Sequence, residues 1–588
     1  MTGVTKTELI STPIVASNTA FPDDECHRLP STDAEKRIVE ALPQVSACVV
    51  VSARLEGRVK TDVLLQLHAD VDQHADYEPA VRAALDDAEA ETLRRVFVIG
   101  LERDFPEGSP GDRDALARWH YAELLGARLL GGGPGVDRVP VATERVPVDF
   151  AGPGSGEGEL SWGQREIWQA MTRQGNWLPL GGVKPLDPGT TVQDIADELA
   201  YVYGRFPSMR TRLRFDERAR PYQVLFAEGR THLEVFDAAD GDAAADELAT
   251  AVAAHYERHP YDMRAEWPVR MAVVRQGGAA TRMVVMMHHL ALDGGGAETM
   301  LRDVAERATE PPTGLQQLEL AAWQYSPAGR RQTDRAMRYF GELLRAMPVP
   351  TFPASADPRR PPWWTAEYSS PALPSALALL AARTGADLAR VTTAGYAIAL
   401  ARVTGVNPVL LRPVIGNRFR RQLADVVCHA SQAAFVLLDT RGTVEDVIER
   451  TGPASMNALK HSFYDPEQLD ELVRRIGEER GAKLDVASFV NYRRVAPATP
   501  EPVSAPTREE FAAQCAASVF RWAGQRNDPV ERLFINFDDA PGAVRITIEA
   551  DTRALAPAQI ERVARGIEEV AVEAALQEGL DTGVVSGG

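Results

Sequence analysis

The strongest constraint on the fold lies in one stretch near the middle of the chain, MVVMMHHLALDGGGAETML from Met283 to Leu301. Its first five residues form an unbroken apolar run, which is short enough for a buried strand. Because successive strand residues point to opposite faces, His288 and His289 at the strand end cannot both face one cavity. One histidine must therefore pack backwards, and only the other is a candidate for chemistry.

A glycine run follows the histidines and precedes a helix predicted over 297–308. Glycine allows a sharp turn and a close approach to a neighbour or ligand. Asp293, just before the glycines, could orient a histidine as in a catalytic triad, or it could bind a buried arginine. A neutral imidazole at such a junction can accept a proton near neutral pH, since its ordinary pKa is about 6.5. A strand end packed in a core is the competing interpretation, and diverging side chains disfavour a metal site.

The composition limits the class of protein. The chain has 588 residues, of which 45% are hydrophobic and 25% charged, as in ordinary soluble globular proteins. A net charge of -19 disfavours nucleic acid and anionic membranes as partners. The sequence shows neither a signal-peptide layout nor an apolar run near the roughly 18 residues that span a membrane. The four cysteines lack CxxC spacing, which predicts reduced thiols and no zinc site. We therefore expect a cytoplasmic protein.

The N-terminal part predicts a separate small domain. Residues 1–30 lack periodicity and are predicted to be a flexible arm, whereas 31–125 predict an α+β domain. Its predicted elements are a helix over 33–42, strands over 45–51 and 63–67, a helix over 79–88 and a strand over 93–99. This order resembles the C-terminal subdomain of adenylate-forming enzymes, with Asp112 where that family keeps its catalytic lysine. The resemblance implies a remnant without adenylating activity; an unrelated docking domain is the alternative.

The Gly- and Pro-rich segment 126–158 is predicted to be a linker, and its glycine run has no serine to carry phosphopantetheine.

The central stretch has the form His-His-x-x-x-Asp-Gly, written here by His288, His289, Asp293 and Gly294. This form resembles the signature of the condensation domains of nonribosomal peptide synthetases, which belong to the chloramphenicol acetyltransferase-like superfamily. Further stretches resemble other motifs of that family in the right order: SWGQREIW at 161–168, RFPSMRT at 205–211 and LAAWQ at 320–324.

Some positions depart from the family pattern. In the first motif, Gly163 and Glu166 replace the usual alanine and arginine, and the second motif lacks the usual histidine and glutamate. Cys428 and Ser431 stand at a family glycine and asparagine, and Gly296 stands where a serine is common.

The resemblance is looser after residue 400, where a second lobe is completed by VIGNR at 414–418, by strands over 427–439, 489–491 and 544–550, and by a helix over 557–575.

The resemblance implies an α/β fold of two chloramphenicol acetyltransferase-like lobes. They would form a V-shaped pseudo-dimer with a central tunnel, with the N-lobe at 159–345 and the C-lobe at 346–588, after the small α+β domain. A ligand site between the lobes is then expected.

The resemblance also implies roles for single residues. His289 would face the tunnel as the catalytic histidine, either removing a proton from the acceptor or holding it in place. Gly294 would direct its backbone N–H at the developing oxyanion. His288 would be structural, and Asp293 would pair with Arg210 to hold the loop. Breaking a buried pair of this kind costs about 3 to 5 kcal/mol.

The function implied is that of a free-standing condensation enzyme of a specialised-metabolite pathway. It would transfer an acyl or aminoacyl group from a phosphopantetheine thioester on a carrier protein to a free or carrier-bound amine, forming an amide. No cofactor or metal of its own is expected. The alternatives are ester formation, use of a coenzyme A thioester, and a non-catalytic recruitment module. The basic cluster from Arg418 to Arg421 could contact the carrier or be solvated.

Overall fold

A computed structural model describes residues 32–55, 58–68, 77–98, 140–174, 176–216, 220–241, 243–259, 261–494, 506–526 and 531–584. The predicted arm at 1–30 and the loop that contains Asp112 lie outside these ranges, so those predictions stand as made. Within the described ranges, no helix combines the length and the hydropathy needed to cross a lipid bilayer.

The N-terminal unit is a three-stranded sheet with helices beside it. Strand β1 pairs antiparallel with β2, and β2 pairs parallel with β3. The helix predicted over 79–88 is instead two short helices, because Asp86 and Glu89 form a capping box that starts a second helix. The elements are α1 (Thr32–Ala41), β1 (Val45–Leu55), β2 (Arg58–Leu67), α2 (Glu78–Ala84), α3 (Asp87–Thr92) and β3 (Leu93–Val98).

The next part of the chain forms an N-lobe around a five-stranded sheet of order β4-β9-β10-β11-β6, beside a three-stranded sheet of order β5-β8-β7. Its strands are β4 (Glu144–Ala151), β5 (Gly156–Glu159), β6 (Pro179–Pro185), β7 (Thr211–Phe215), β8 (Pro221–Leu225), β9 (Glu228–Asp237), β10 (Val269–Gln276) and β11 (Ala279–His288). Its helices are α4 (Trp162–Gln174), α5 (Val192–Arg205), α6 (Ala244–Arg258), α7 (Gly294–Glu306) and α8 (Gln317–Gln324).

The apolar run that opens the central stretch lies in strand β11, which is between β10 and β6 in the sheet. Alternate residues of the run enter different cores. Met283, Val285 and Met287 pack with helices α5 and α7, whereas Val284 and Met286 pack with α6. Both faces of the strand are therefore buried, which explains why the run shows no polar alternation.

The C-lobe is built on an eight-stranded sheet of order β14-β13-β16-β18-β19-β12-β17, with β15 paired to β13. Its strands are β12 (Trp363–Ser370), β13 (Val409–Ile415), β14 (Gln432–Ala433), β15 (Val436–Leu438), β16 (Ser488–Tyr492), β17 (Val519–Arg526), β18 (Leu533–Ala540) and β19 (Ala543–Asp551). The helices from 327 onward are α9 (Pro327–Ala346), α10 (Leu373–Thr384), α11 (Leu388–Thr404), α12 (Val444–His461), α13 (Pro466–Arg480), α14 (Arg508–Ala516) and α15 (Pro557–Leu576).

The structure moves two predicted domain boundaries. The last part of the predicted linker at 126–158 contains β4 and most of β5, since Val148 and Phe150 alternate inward along β4 and are buried. Its proline and glycine content hid this alternation. Helix α9, predicted to close the N-lobe, buries Phe340 and Leu344 in the core of the C-lobe. The N-lobe therefore begins earlier in the chain than predicted, and the C-lobe core begins at α9.

Arg210 joins three segments of the N-lobe. Its side chain is fully buried, and its guanidinium donates to the backbone carbonyls of Tyr203 (2.8 Å), Pro153 (2.8 Å), Gly154 (3.4 Å) and Phe226. These carbonyls belong to α5, to the turn between β4 and β5, and to the residue after β8. Burial lowers the pKa of Arg210. The residue thus satisfies carbonyls that would otherwise lack a donor.

We expect Arg210→Met to destabilise the protein by about 3 kcal/mol or more, because several buried carbonyls would lose their donor at once. Arg214→Met is the matched control, since Arg214 also donates to carbonyls but at an exposed edge. The midpoint of urea unfolding measures both variants. Equal midpoints for the two variants would contradict the role given to Arg210.

Candidate functional site

A cavity of about 680 Å³ lies between the two lobes. Its N-lobe side includes apolar side chains from α4, β6 and β11, whereas its C-lobe side includes many polar and charged side chains on strands of the eight-stranded sheet, beside apolar ones such as Phe489 and Phe534. His289, Asp293 and the first residues of α7 line the same cavity. The structure therefore brings the central motif to a space that both lobes enclose.

His288 points away from this cavity. Its ring packs edge-on against Tyr261, with the ring centroids 5.2 Å apart, and only 6% of the residue is exposed. Burial lowers its pKa to about 3, so the ring is neutral. This backward packing is what strand alternation predicted for one of the two histidines.

His289 is held in one tautomer. Its Nδ1 lies 2.7 Å from the carbonyl oxygen of Leu292, and a carbonyl can only accept a hydrogen bond. Nδ1 therefore carries the proton, and in the neutral ring the lone pair is on Nε2. Burial lowers the pKa of His289 from its ordinary value, which keeps the ring in this neutral form at pH 7.

A third histidine, which we did not predict as part of the site, lies beside His289. His429 is 6% exposed, and its Nδ1 is 3.2 Å from Nδ1 of His289. The two rings meet edge-on, with centroids 4.7 Å apart. Burial lowers the pKa of His429 to about 3, so two neutral rings lie in contact.

Asp293 accepts hydrogen bonds from both lobes. It is the N-cap of α7, where Oδ1 accepts from the backbone N–H of Gly296 at 2.8 Å. Oδ2 accepts from the N–H groups of Ala430 (2.9 Å) and Ser431 (2.8 Å) and from the Ser431 hydroxyl (2.7 Å). Burial by itself would raise the pKa of this carboxyl, but the Arg418 guanidinium and these donors hold it well below its usual range.

The arginine that pairs with Asp293 is Arg418, so the predicted pair with Arg210 is wrong. The guanidinium of Arg418 lies 2.7 Å from Oδ1 and 3.0 Å from Oδ2, and it also donates to the carbonyls of Val426 and Cys428. Arg210 is committed to backbone carbonyls instead. Arg418 is also only 14% exposed in its side chain, so it is not part of a solvated basic cluster.

The glycines do not form the predicted loop, because Asp293 starts helix α7 at Gly294, three residues before the predicted helix. Their small size matters for Arg418. A Cβ on Gly295 would lie 2.9 Å from the Arg418 side chain, and one on Gly296 would lie 3.0 Å from it. Gly294 is the first residue of the helix, where a backbone N–H has no partner within the helix.

The two unusual residues of helix α4 both contact the C-lobe. A Cβ on Gly163 would lie 2.7 Å from the carbonyl oxygen of His429, so the usual alanine does not fit. The Glu166 carboxylate lies 3.3 Å from the Arg412 guanidinium and accepts from the amide of Gln432 at 3.2 Å. The arginine expected at position 166 is thus replaced by a carboxylate whose partner arginine is on strand β13.

Three residues of the site were not predicted, and they differ in how clearly the sequence marks them. Arg418 was visible in the VIGNR stretch, but nothing local distinguishes an arginine that binds Asp293 from an arginine on the surface. Ser431 stands at a position that the resemblance marked, and its hydroxyl contributes to the Asp293 site. His429 lies in an irregular segment before β14, and no pattern in the sequence marks it.

Comparison with known proteins agrees with this architecture. The family model of the Condensation domain matches residues 186–501, which is more than half of the chain. A probable non-canonical nonribosomal peptide synthetase, CymA of Salinispora arenicola, is 24% identical over 346 residues. That alignment covers 55% of this chain but 4% of the synthetase.

Two solved structures show the same fold. One concerns condensation domain-mediated chain release from the enacyloxin polyketide synthase; it has a TM-score of 0.53 and 17% identity and covers 90% of this chain and 95% of the other. The other is the condensation domain from the Monacolin K polyketide synthase MokA, with a TM-score of 0.56, 15% identity and coverage of 73% and 100%. These similarities confirm the predicted two-lobed α/β fold.

We expect Gly163→Ala to destabilise the protein by about 1 to 3 kcal/mol, because the new methyl group would push the segment at His429 away from α4. Gly395→Ala is the matched control, since a Cβ there meets nothing within 4 Å in the interior of helix α11. The control should stabilise by about 0.5 to 1 kcal/mol. Urea unfolding midpoints test both variants. A Gly163→Ala variant as stable as wild type would show that α4 and the segment at His429 are not in close contact.

We expect stability to fall as the pH drops below about 6.5. The pKa values of His288 and His429 are lowered to about 3 in the folded protein, so the unfolded chain binds more protons in this range. Their contribution to the free energy of unfolding is fully present above the pKa of the unfolded state. It is lost as the pH falls towards the pKa of the folded state. At about pH 5 the loss is about 2 kcal/mol for each histidine.

Unfolding midpoints at about pH 7.5 and pH 5 measure this loss. His429→Gln should reduce the difference between the two pH values, whereas His232→Gln, at an exposed position of β9, should leave it unchanged. The same pH dependence in wild type and His429→Gln would contradict the prediction.

Proposed function

The chain belongs to the condensation domain family, and from this premise we propose that it transfers an acyl or aminoacyl group from a thioester to an amine, forming an amide. The donor would be the phosphopantetheine thioester of a carrier protein, as the family resemblance implies. The observation that carries the proposal is the state of His289: a neutral ring in the inter-lobe cavity whose Nδ1 donates to Leu292 and whose Nε2 keeps its lone pair.

His289 would act on the attacking amine. The amine nitrogen forms a bond to the thioester carbon, and Nε2 takes the proton that the nitrogen must lose. When the tetrahedral intermediate breaks down, the carbon–sulfur bond breaks and the thiolate of the phosphopantetheine arm leaves. The imidazolium returns the proton to this sulfur, so the ring ends neutral. No metal or cofactor of the enzyme enters these steps.

The first turn of α7 supports a role for Gly294 in binding the oxyanion. Gly294 and Gly295 line the cavity, and their N–H groups precede the first intrahelical hydrogen bond. The N-terminus of a helix carries partial positive charge, which favours a developing oxyanion. A donor of this kind is worth about 3 kcal/mol in transition-state stabilisation. Asp293 does not compete for these groups, because its carboxylate accepts from Gly296.

We expect His289→Ala to lower the rate of acyl transfer by about two to four orders of magnitude without loss of folding. Intact-protein mass spectrometry follows acyl loss from loaded carrier proteins mixed with amine acceptors. The same reaction with alcohol acceptors or with coenzyme A thioesters identifies the bond formed and the donor used.

His232→Ala is the matched control, because that histidine is exposed on β9. His288→Phe tests whether the backward histidine matters only for packing. Transfer that is undiminished in His289→Ala would refute the proposed role. The absence of transfer across carrier, coenzyme A, amine and alcohol panels would favour a recruitment module.

A further inference from the structure

The C-lobe wall of the cavity includes an ordered array of polar side chains. Strands β16, β18, β19 and β12 lie side by side, and their register places Asn491, Asn536, Thr547 and Glu367 in one row across the sheet. The neighbouring row contains Asp538 on β18 opposite Arg545 on β19. All of these residues line the cavity, so this face of the sheet meets whatever enters it.

The cavity arginines are paired with one exception. Among the described residues, six arginines line the cavity, and five of them lie within 3.3 Å of a carboxylate oxygen. The five pairs are Arg173 with Glu531, Arg412 with Glu166, Arg418 with Asp293, Arg493 with Asp538, and Arg526 with Glu549. The sixth is Arg545, which makes no ion pair or side-chain hydrogen bond in the part of the chain that the structure describes.

The reason that Arg545 lacks a partner is visible in the sheet. The acidic residue opposite it is Asp538, but both carboxylate oxygens of Asp538 are bound by Arg493, at 2.8 and 2.5 Å. The residue opposite it on the other side, on β12, is Ser369, which carries no charge. Arg545 is itself only partly exposed on the wall of the cavity. A guanidinium in this position attracts an anion, since it offers a planar set of donors that match a carboxylate or phosphate.

A second polar group lies beside it. Asn536 is 8% exposed, and its Oδ1 is buried without a hydrogen-bond partner among the described residues. Asn536 is opposite Thr547, which is two residues along β19 from Arg545 on the same face. A buried acceptor without a donor is costly, so a ligand N–H or O–H at this point would be stabilised. The wall thus offers one site for an anion and, close to it, one for a donor.

We propose that Arg545 binds an anionic oxygen group of one of the two substrates, a carboxylate or a phosphate, and that Asn536 accepts a hydrogen bond from the same molecule. Two sources carry this chemistry: a carboxylate on the amine acceptor, and the phosphate of a pantetheine arm. The inference rests on the proposed function only in taking the inter-lobe cavity as the substrate site. The other arginines cannot serve equally, because carboxylates of the protein already neutralise them.

Equilibrium binding separates the two sources. Calorimetric titration of the whole protein compares 6-aminohexanoic acid with hexylamine, and phosphopantetheine with pantetheine. Within each pair the probes differ mainly in the anionic group, so the ratio of their dissociation constants measures its contribution. The variants are Arg545→Gln and the matched control Arg526→Gln, which removes the same charge from the same cavity at an arginine that is paired with Glu549 at 2.9 Å.

We expect the anionic member of one pair to bind wild type about 10- to 100-fold more tightly than its neutral partner. Arg545→Gln should abolish this gain, Arg545→Lys should keep part of it, and Arg526→Gln should keep it. The pair that shows the gain identifies the source. A gain that survives Arg545→Gln, or no gain with either pair in wild type, would overturn the proposal. These binding measurements do not require turnover. If the anionic probe binds more tightly but the protein transfers no acyl group, the proposed function is refuted and the inference about Arg545 still stands.

Discussion

The site depends on one buried carboxylate. Asp293 is 1% exposed, and a charge this deep would be expensive if its donors were missing. Its donors come from two places: the first turn of α7 in the N-lobe, and Arg418 with the segment at Ala430 and Ser431 in the C-lobe. The same carboxylate therefore starts the helix that follows His289 and fixes the position of the opposite lobe. Losing either set of donors would leave the other half of the site without its support.

Helix α4 adds a second link between the lobes. Glu166 binds Arg412 and Gln432 of the C-lobe, and Arg165 lies 2.7 Å from Glu467 at the start of α13. Gly163 lets the helix approach the backbone at His429. These contacts bring His429 against His289. The relative position of the lobes is thus set by these polar contacts together with a buried apolar cluster, in which Trp162 of α4 packs against Val426 and Phe463 of the C-lobe.

The sequence alone predicts those features that depend on interactions between residues close together in the chain. An apolar run followed by two histidines implies opposite side-chain directions, and His288 and His289 do point apart. The sequence does not identify which distant residue binds a given side chain. Arg210 and Arg418 are equally suited to bind Asp293, and Arg418 is 125 residues away in the chain. Helix α7 begins before its predicted start for a different, local reason: Asp293 caps it by accepting from the N–H of Gly296, three residues on, and the glycine run had favoured a loop there. Strand β4 was hidden by proline and glycine, which usually mark linkers.

The charge balance around His289 follows from the same arrangement. Burial lowers the pKa of His289 and outweighs the nearby Asp293 carboxylate, which acts to raise it and is itself paired with Arg418, so the ring stays neutral. His429 adds no positive charge, because burial lowers its pKa to about 3. The amine attacks in its neutral form, and the base that takes the proton released during this attack has to be neutral beforehand. A charged imidazole would also repel an ammonium group. The pairing of Asp293 with an arginine rather than with the histidine therefore favours the neutral imidazole that the proposed transfer to an amine requires.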